Sequence, residues 1–175
     1  MTGSRLRHVQ PADYARVRAV IDDWWGGRPM AARLSHVFFT HFRPTSFVLE
    51  QDGELLAFLL GFVSQTYPEE AYIHFVGVHP ANRRQGLARR LYDHFFAAAA
   101  LSGCGWARSI TSPSNLQSIA FHKALGFRLQ HGDAVADGVP VTVDYAGPGG
   151  HRVVFVRELT TGVRSPRPWV VGVAI

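Results

Sequence analysis

The sequence predicts one α+β domain, and three observations carry that reading. Apolar residues at helical spacing alternate with apolar runs of strand length, and no internal repeat is present. Asp52-Gly53 stands between two such runs, a strong hairpin signal because both turn residues tolerate positive φ. The run ending in Val78-His79-Pro80 is followed by a short basic loop, one glycine and a long helical pattern.

In chain order, residues 5–9 read as a first strand. Pro11 then suits the first turn of a helix. Val17, Val20, Ile21 and Trp24 form its apolar face, and the segment "WGGRP" ends it. Leu34, Val37, Phe38 and Phe42 suggest a second helix. Residues 46–50 and 54–64 are the hairpin strands, and residues 71–78 a further strand. A third helix starts at Gly86 on Leu87, Leu91, Phe95 and Ala98, and "SGCG" stops it. Residues 106–110 read as a strand. Ser114 and Gln117 resemble a capping box at the head of a fourth helix, and Gly126 suits its C-cap. Residues 127–130 and 152–159 are the last strands. Between them, residues 132–150 are rich in Gly, Pro and Asp and read as one long loop of functional length. Residues 1–159 make the domain. Residues 160–175 are a tail that suits an extra edge strand, a partner-binding segment or disorder.

Composition narrows the function. The 175 residues are 47% hydrophobic, which suits one domain with its own core. The apolar run Leu55 to Val63 is too short to span a bilayer, and the first residues lack a signal-peptide core, so a cytoplasmic protein with no membrane partner is expected. Cys104 is the sole cysteine and reads as bland. The nine histidines lack metal-ligand spacing, so no metal is expected. A net charge of +5 favours anionic partners. Aromatic and basic residues do not interleave as in RNA-binding segments, so nucleic acid ranks last as a partner.

The stretch "VHPANRRQGLARRL" is the most informative. The first amides of a helix have no helical partner and, with the helix dipole, attract phosphate. A glycine removes the Cβ from that approach, and arginines add charge. Arg84, Arg89 and Arg90 also fit a solvated helix face. The stretch is not a P-loop, because "GK[ST]" is absent, nor a dinucleotide fingerprint, because only one of three glycines is present.

Arg83-x-x-Gly86-x-Ala88 resembles the acyl-CoA signature of the GCN5-related N-acetyltransferases (GNAT), written R/Q-x-x-G-x-G/A. Supporting features are the preceding strand "YIHFVGVHP", the later Asn115, and "FHKALGF", which is similar to the family's "FYxxLGF". The resemblance covers roughly residues 4 to 159. It implies a mixed, mostly antiparallel, twisted sheet of six to seven strands, splayed between strands 4 and 5 and flanked by about four helices. It also implies acetyl-CoA as acyl donor. Coenzyme contacts would come from Val76, Gly77 and Val78, from Arg83, Arg84, Gln85, Gly86, Leu87, Ala88 and Arg89, and from Asn115, Ser118, Phe121 and His122. A backbone N–H near Val76 would hold the developing oxyanion.

The sequence departs from the family at His122, where the proton-donating tyrosine usually stands. His122 is a candidate general acid, or else only a contact of the coenzyme thiol or a packing residue. Tyr145 is a reserve donor. The fourth strand has no interior carboxylate, so His74 or Glu70, acting through water, is the candidate base; Glu69 adjoins it. A hydrogen-bonded core histidine and a solvated turn are the plain alternatives. Strand alternation puts His74 on one face with Tyr72 and Val76. By the resemblance, an acceptor amine would enter over the first two helices and the loop before the last strand. Asp22, Asp23, Trp24, Trp25 and Arg28 lie there on one side, and Asp133, Asp137, Asp144 and Tyr145 on the other. The expected function is transfer of acetyl from acetyl-CoA to a primary amine, on a small molecule or a protein, by direct attack in a ternary complex. The alternative is an inactive acyl-CoA-binding module serving as sensor or partner subunit. A homodimer is implied by analogy alone.

Overall fold

The computed structural model describes residues 3–159. In chain order its elements are β1 (Arg5–His8), α1 (Asp13–Trp24), α2 (Val37–Thr40), β2 (Phe47–Gln51), β3 (Glu54–Val63), β4 (Glu70–Val78), α3 (Leu87–Leu101), β5 (Trp106–Thr111), α4 (Leu116–Ala124), β6 (Arg128–Leu129), β7 (Ala134–Ala136), β8 (Val139–Val141) and β9 (Val153–Glu158). The main sheet runs β1-β2-β3-β4-β5-β9-β6. Its one parallel pair is β4–β5; the others are antiparallel. The tail expectations for residues 160–175 lie outside the described residues.

The sheet is covered on both faces. On one, α1 and α2 bring Val17, Ile21, Trp24 and Phe38 onto Phe58, Leu60 and Phe75. On the other, α3 and α4 bring Leu91, Tyr92, Phe95, Ile119 and Leu125 onto Leu59, Ile73 and Phe155. The β2–β3 hairpin turns at Asp52 and Gly53, at φ 51° and 84°, as their sequence predicts.

Four expectations change. The second helix is only Val37–Thr40, between 3-10 turns at Ala31–Arg33 and Arg43–Thr45. Pro44 bars Arg43 from continuing an α-helix. The loop 132–150 holds the β7–β8 hairpin, which turns on Asp137-Gly138 at φ 50° and 77°. That is a second use of the Asp-Gly signal. The cap of α4 is Asn115, whose Oδ1 accepts the Ser118 N–H at 3.1 Å, in place of the Ser114–Gln117 box.

The fourth change concerns β4. Leu60 pairs with Phe75, but Gly61 pairs with Ile73, so His74 is an extra residue in its strand. This bulge breaks alternation. Val76 and Val78 turn to the α3 core, whereas Phe75 packs on the α1 side. His74 therefore shares a face with Tyr72 but not with Val76. Pairing of β4 with β5 covers only Glu70–Trp106, Ala71–Ala107 and Tyr72–Arg108. Beyond Tyr72 the two parallel strands part, as the family resemblance implies.

Candidate active site

At the far end of β4 the chain makes the basic turn. Gly86 is the N-cap of α3 at φ 80°, and the position its Cβ would take is open to 4 Å. Arg84 is also left-handed, at φ 61°. The α3 ladder begins with the Arg90 N–H on the Gly86 carbonyl at 3.0 Å. The amides of Leu87, Ala88 and Arg89 therefore have no partner in the helix and face outward at its positive end. Arg84, Gln85 and Arg89 are exposed around them. This cradle fits a pyrophosphate.

Arg83 is engaged elsewhere. Its Nη2 donates to the Trp24 carbonyl at 2.6 Å and its Nε to the Val78 carbonyl at 3.4 Å. It ties α1 to the end of β4 and so holds the turn in place. Gly77 is needed for packing: a Cβ there would stand 2.6 Å from the Phe58 ring and 2.8 Å from Trp25. The bulge of β4 lies not at this glycine but at His74.

His122 sits in the α3–α4 core, 5% exposed and stacked on Phe155 at 4.1 Å with 3° between the planes. Its Nε2 lies 2.9 Å from the Tyr92 hydroxyl and its Nδ1 2.8 Å from the Ser118 carbonyl. Both ring nitrogens are therefore engaged. Burial pushes its pKa down to about 4, only partly offset by the Ser118 backbone hydrogen bond. A ring held neutral has no spare proton to donate at neutral pH. The consequence for stability has a definite sign. The neutral ring's contribution is fully present above the unfolded value near 6.5, and is lost as pH falls toward 4. Across that window the fold should lose on the order of 3 kcal/mol through this residue. Thermal midpoints measured from pH 7 to pH 4.5 should fall less steeply for His122→Phe than for the parent chain.

On the opposite face of the sheet lies a cleft of about 590 Å³, lined by Phe38, Phe62, Ser64, Thr66, Tyr67, Glu70, Tyr72, His74, Arg108 and Tyr145. It stands where β4 and β5 part. Arg108 Nε and Nη2 donate to the two Glu70 oxygens at 2.5 and 3.0 Å, and Nη1 donates to the Gln130 side chain. Both charged side chains are almost wholly buried, at 1% and 2% exposure. The Tyr72 and Tyr145 hydroxyls are hydrogen-bonded to each other. Burial raises both phenols, and the charge of Arg108 and the Tyr72 hydrogen bond pull Tyr145 back down. His74 is exposed in the cleft and stacks parallel on Phe38 at 5.0 Å, and partial desolvation by its neighbours lowers its pKa.

Three site residues foreseen from sequence, Glu70, His74 and Tyr145, meet in this cleft. The acceptor group expected near α1 does not. Asp22 Oδ1 accepts the Ala31 N–H at 2.7 Å. Trp24 and Trp25 stack on Phe58 at 5.7 and 5.9 Å. Asp23 is exposed at the helix end. A carboxylate beside a turn amide and indoles beside a packed sheet are used locally, so these residues do not line the cleft. Asp133 and Asp144 likewise cap their own loop, on Val143 and Gly149. Sequence reading missed Arg108 and Tyr72. An arginine in the middle of the apolar strand "WARSIT" was the signal available. Cys104 is buried, its thiol directed at the Pro68 carbonyl at 3.6 Å and its pKa raised by burial. Among the described residues no His/Cys/Asp/Glu group could hold a metal, and no helix is long and apolar enough to cross a membrane.

Known proteins resemble this chain in sequence and in fold. An L-2,4-diaminobutyric acid acetyltransferase from Virgibacillus pantothenticus is 27% identical over 108 residues, 62% of this chain and 67% of that protein. The ribosomal protein bS18-alanine N-acetyltransferase of Escherichia coli K12 is 32% identical over 85 residues, 49% of this chain and 55% of its own length. Diaminobutyrate acetyltransferase from Paenibacillus lautus, solved with its substrate and coenzyme A, superposes with a TM-score of 0.69 at 20% identity, over 94% of this chain and all of that one. The sequence pattern of the Acetyltransferase (GNAT) family matches residues 13–127. With the sheet parted between β4 and β5 and the glycine cradle at its mouth, this places the chain in the GNAT family of acetyltransferases, whose acyl donor is acetyl-CoA.

Proposed function

We propose that this chain transfers the acetyl group of acetyl-CoA to a primary amine by direct attack in a ternary complex. One observation carries the reading. The parted β4 edge joins the anion cradle at Gly86 to the cleft at Tyr72–Arg108. The amides of Arg84 to Arg89 hold the pyrophosphate, and the backbone of Val76 to Val78 pairs with the pantetheine arm. Asn115, the N-cap of α4, with Ser118 and Phe121 on that helix, supplies the further coenzyme contacts. A backbone N–H near Val76, beside the bulge, steadies the oxyanion as the amine adds to the thioester carbon.

The amine must lose a proton before or during attack. His74 or Glu70 takes it, directly or through water. His74 is exposed at the cleft, where partial desolvation lowers its pKa and favours the neutral, proton-accepting ring; Glu70 is already bound to Arg108. The departing thiolate needs a proton. Of the two foreseen donors, Tyr145 stands in the cleft and His122 is enclosed in the core, so the geometry favours Tyr145.

The test is thiol release from acetyl-CoA with and without a panel of primary amines, paired with thermal unfolding. Acetyl-CoA at about a hundred times its dissociation constant should stabilise the fold by roughly 2.7 kcal/mol, raising the midpoint by roughly 5–11 °C. Amine-dependent thiol release supports the proposal. A midpoint shift without thiol release would favour a coenzyme-binding sensor, and neither effect would overturn both readings.

A further inference from the structure

The acceptor cleft has a composition of its own. Six of its ten lining residues carry rings: Phe38, Phe62, Tyr67, Tyr72, His74 and Tyr145. Phe62 lies 5.3 Å from Tyr72 and 6.4 Å from Phe38, and Tyr72 lies 6.2 Å from His74. Phe38, Phe62, Tyr72 and His74 thus form one continuous ring wall. The remaining lining residues are two small hydroxyl side chains, Ser64 and Thr66, and the buried Glu70–Arg108 pair.

Charge decides between acceptor types. Glu70 is the only carboxylate among the lining residues, and Arg108 compensates it from both oxygens. A second positive charge, Arg152, acts on Tyr72 from beside the cleft. A substrate carrying two ammonium groups would find no uncompensated carboxylate here. The carboxylates expected to supply one, Asp22 and Asp23, lie outside the cleft. A volume of about 590 Å³ falls in the range of small-molecule sites. Ring walls favour flat apolar bodies through offset or edge contacts, and one attached ammonium through cation–π attraction.

Building on the acetyltransferase reading, we propose that the acceptor is a small primary amine carried on an aromatic body, an arylalkylamine, in preference to an alkyl diamine or a peptide N-terminus. The ring lies against Phe38 and Phe62, and the amino group points past His74 and the two tyrosine hydroxyls toward the gap between β4 and β5. Attack forms the N–acyl bond and breaks the C–S bond. The neutral amine gives its one departing proton to the base, the thiolate takes a proton from Tyr145, and return of the proton from the base through water restores the phenol.

The experiment compares phenethylamine and tryptamine with 1,3-diaminopropane and an alanine-starting hexapeptide, reading thiol release and product mass. The arylalkylamines should be favoured in kcat/KM by about tenfold or more, the scale of discrimination an apolar pocket achieves. Phe62→Leu, which keeps bulk but removes the ring, and Thr66→Arg, at the exposed rim, should each raise their KM with acetyl-CoA affinity unchanged. Preference for the diamine or peptide would overturn this inference and leave acetyl transfer standing. If no amine is turned over, the transfer reading fails, and calorimetric titration of phenethylamine into the protein with coenzyme A decides the cleft. Binding weakened by Thr66→Arg supports the inference; absence of binding overturns it.

Discussion

Gly86→Glu is expected to weaken acetyl-CoA binding on the order of a hundredfold while leaving a folded protein, because the change places an anion at an anion cradle. The fold should survive because a Cβ at Gly86 meets nothing within 4 Å. The conformational cost is that of an L-residue at φ 80°, about 1–2 kcal/mol. Gly86→Ala carries the same backbone cost without the charge and separates the two effects. Calorimetric titration of both variants with acetyl-CoA checks this. Equal losses for Ala and Glu would show that backbone shape alone governs the turn. Unchanged affinity in Gly86→Glu would show that the pyrophosphate lies elsewhere.

The Glu70–Arg108 pair should show the largest stability effect in the molecule. Arg108→Met leaves a buried carboxylate without its counter-ion and Gln130 without its donor. Breaking such a pair from one side costs about 3–5 kcal/mol. For a domain of this size that lowers the thermal midpoint by roughly 6–20 °C. The double variant Glu70→Leu with Arg108→Met removes both charges, so it should lose less than the sum of the single variants. Additive losses in this cycle would mean that the two side chains are energetically independent. The pair joins β4 to β5 next to Tyr72–Arg108, the last paired register before the strands part. A loss of stability should therefore come with loss of activity even in the fraction that remains folded, as a fall in kcat per folded molecule.

Much of this was legible in the chain. Apolar runs of strand length located β3 and β4, which are buried on both faces, and the 3.6-residue period located α1 and α3, which each bury one apolar face. The glycine turn before α3 was legible because its geometry is local: one glycine, its arginines and the helix behind it occupy a single stretch. The short α2 was less so, since the apolar spacing of Leu34, Val37, Phe38 and Phe42 runs past both ends of a helix that covers only Val37–Thr40. The β7–β8 hairpin was obscured because its strands are three residues each, too short for a period to register.

The cleft at Tyr72–Arg108 belongs to the other category. Its residues come from α2, β3, β4, β5, the segment after β3 and the loop before β9, and nothing in their spacing unites them. The bulge at His74 shows the limit most clearly. One extra residue in β4 reverses which side chains share a face, and only the register against β3 reveals it. In the same way, His122 has the sequence position of a proton donor, but packing against Phe155 and hydrogen bonding to Tyr92 and Ser118 make it a neutral core ring. By itself, the sequence determined the fold class, the order of elements and the anion cradle, because those depend on neighbours along the chain. The tertiary structure decided the faces of β4, the surroundings of each histidine and the lining of the cleft, because burial and charge pairing depend on neighbours across it.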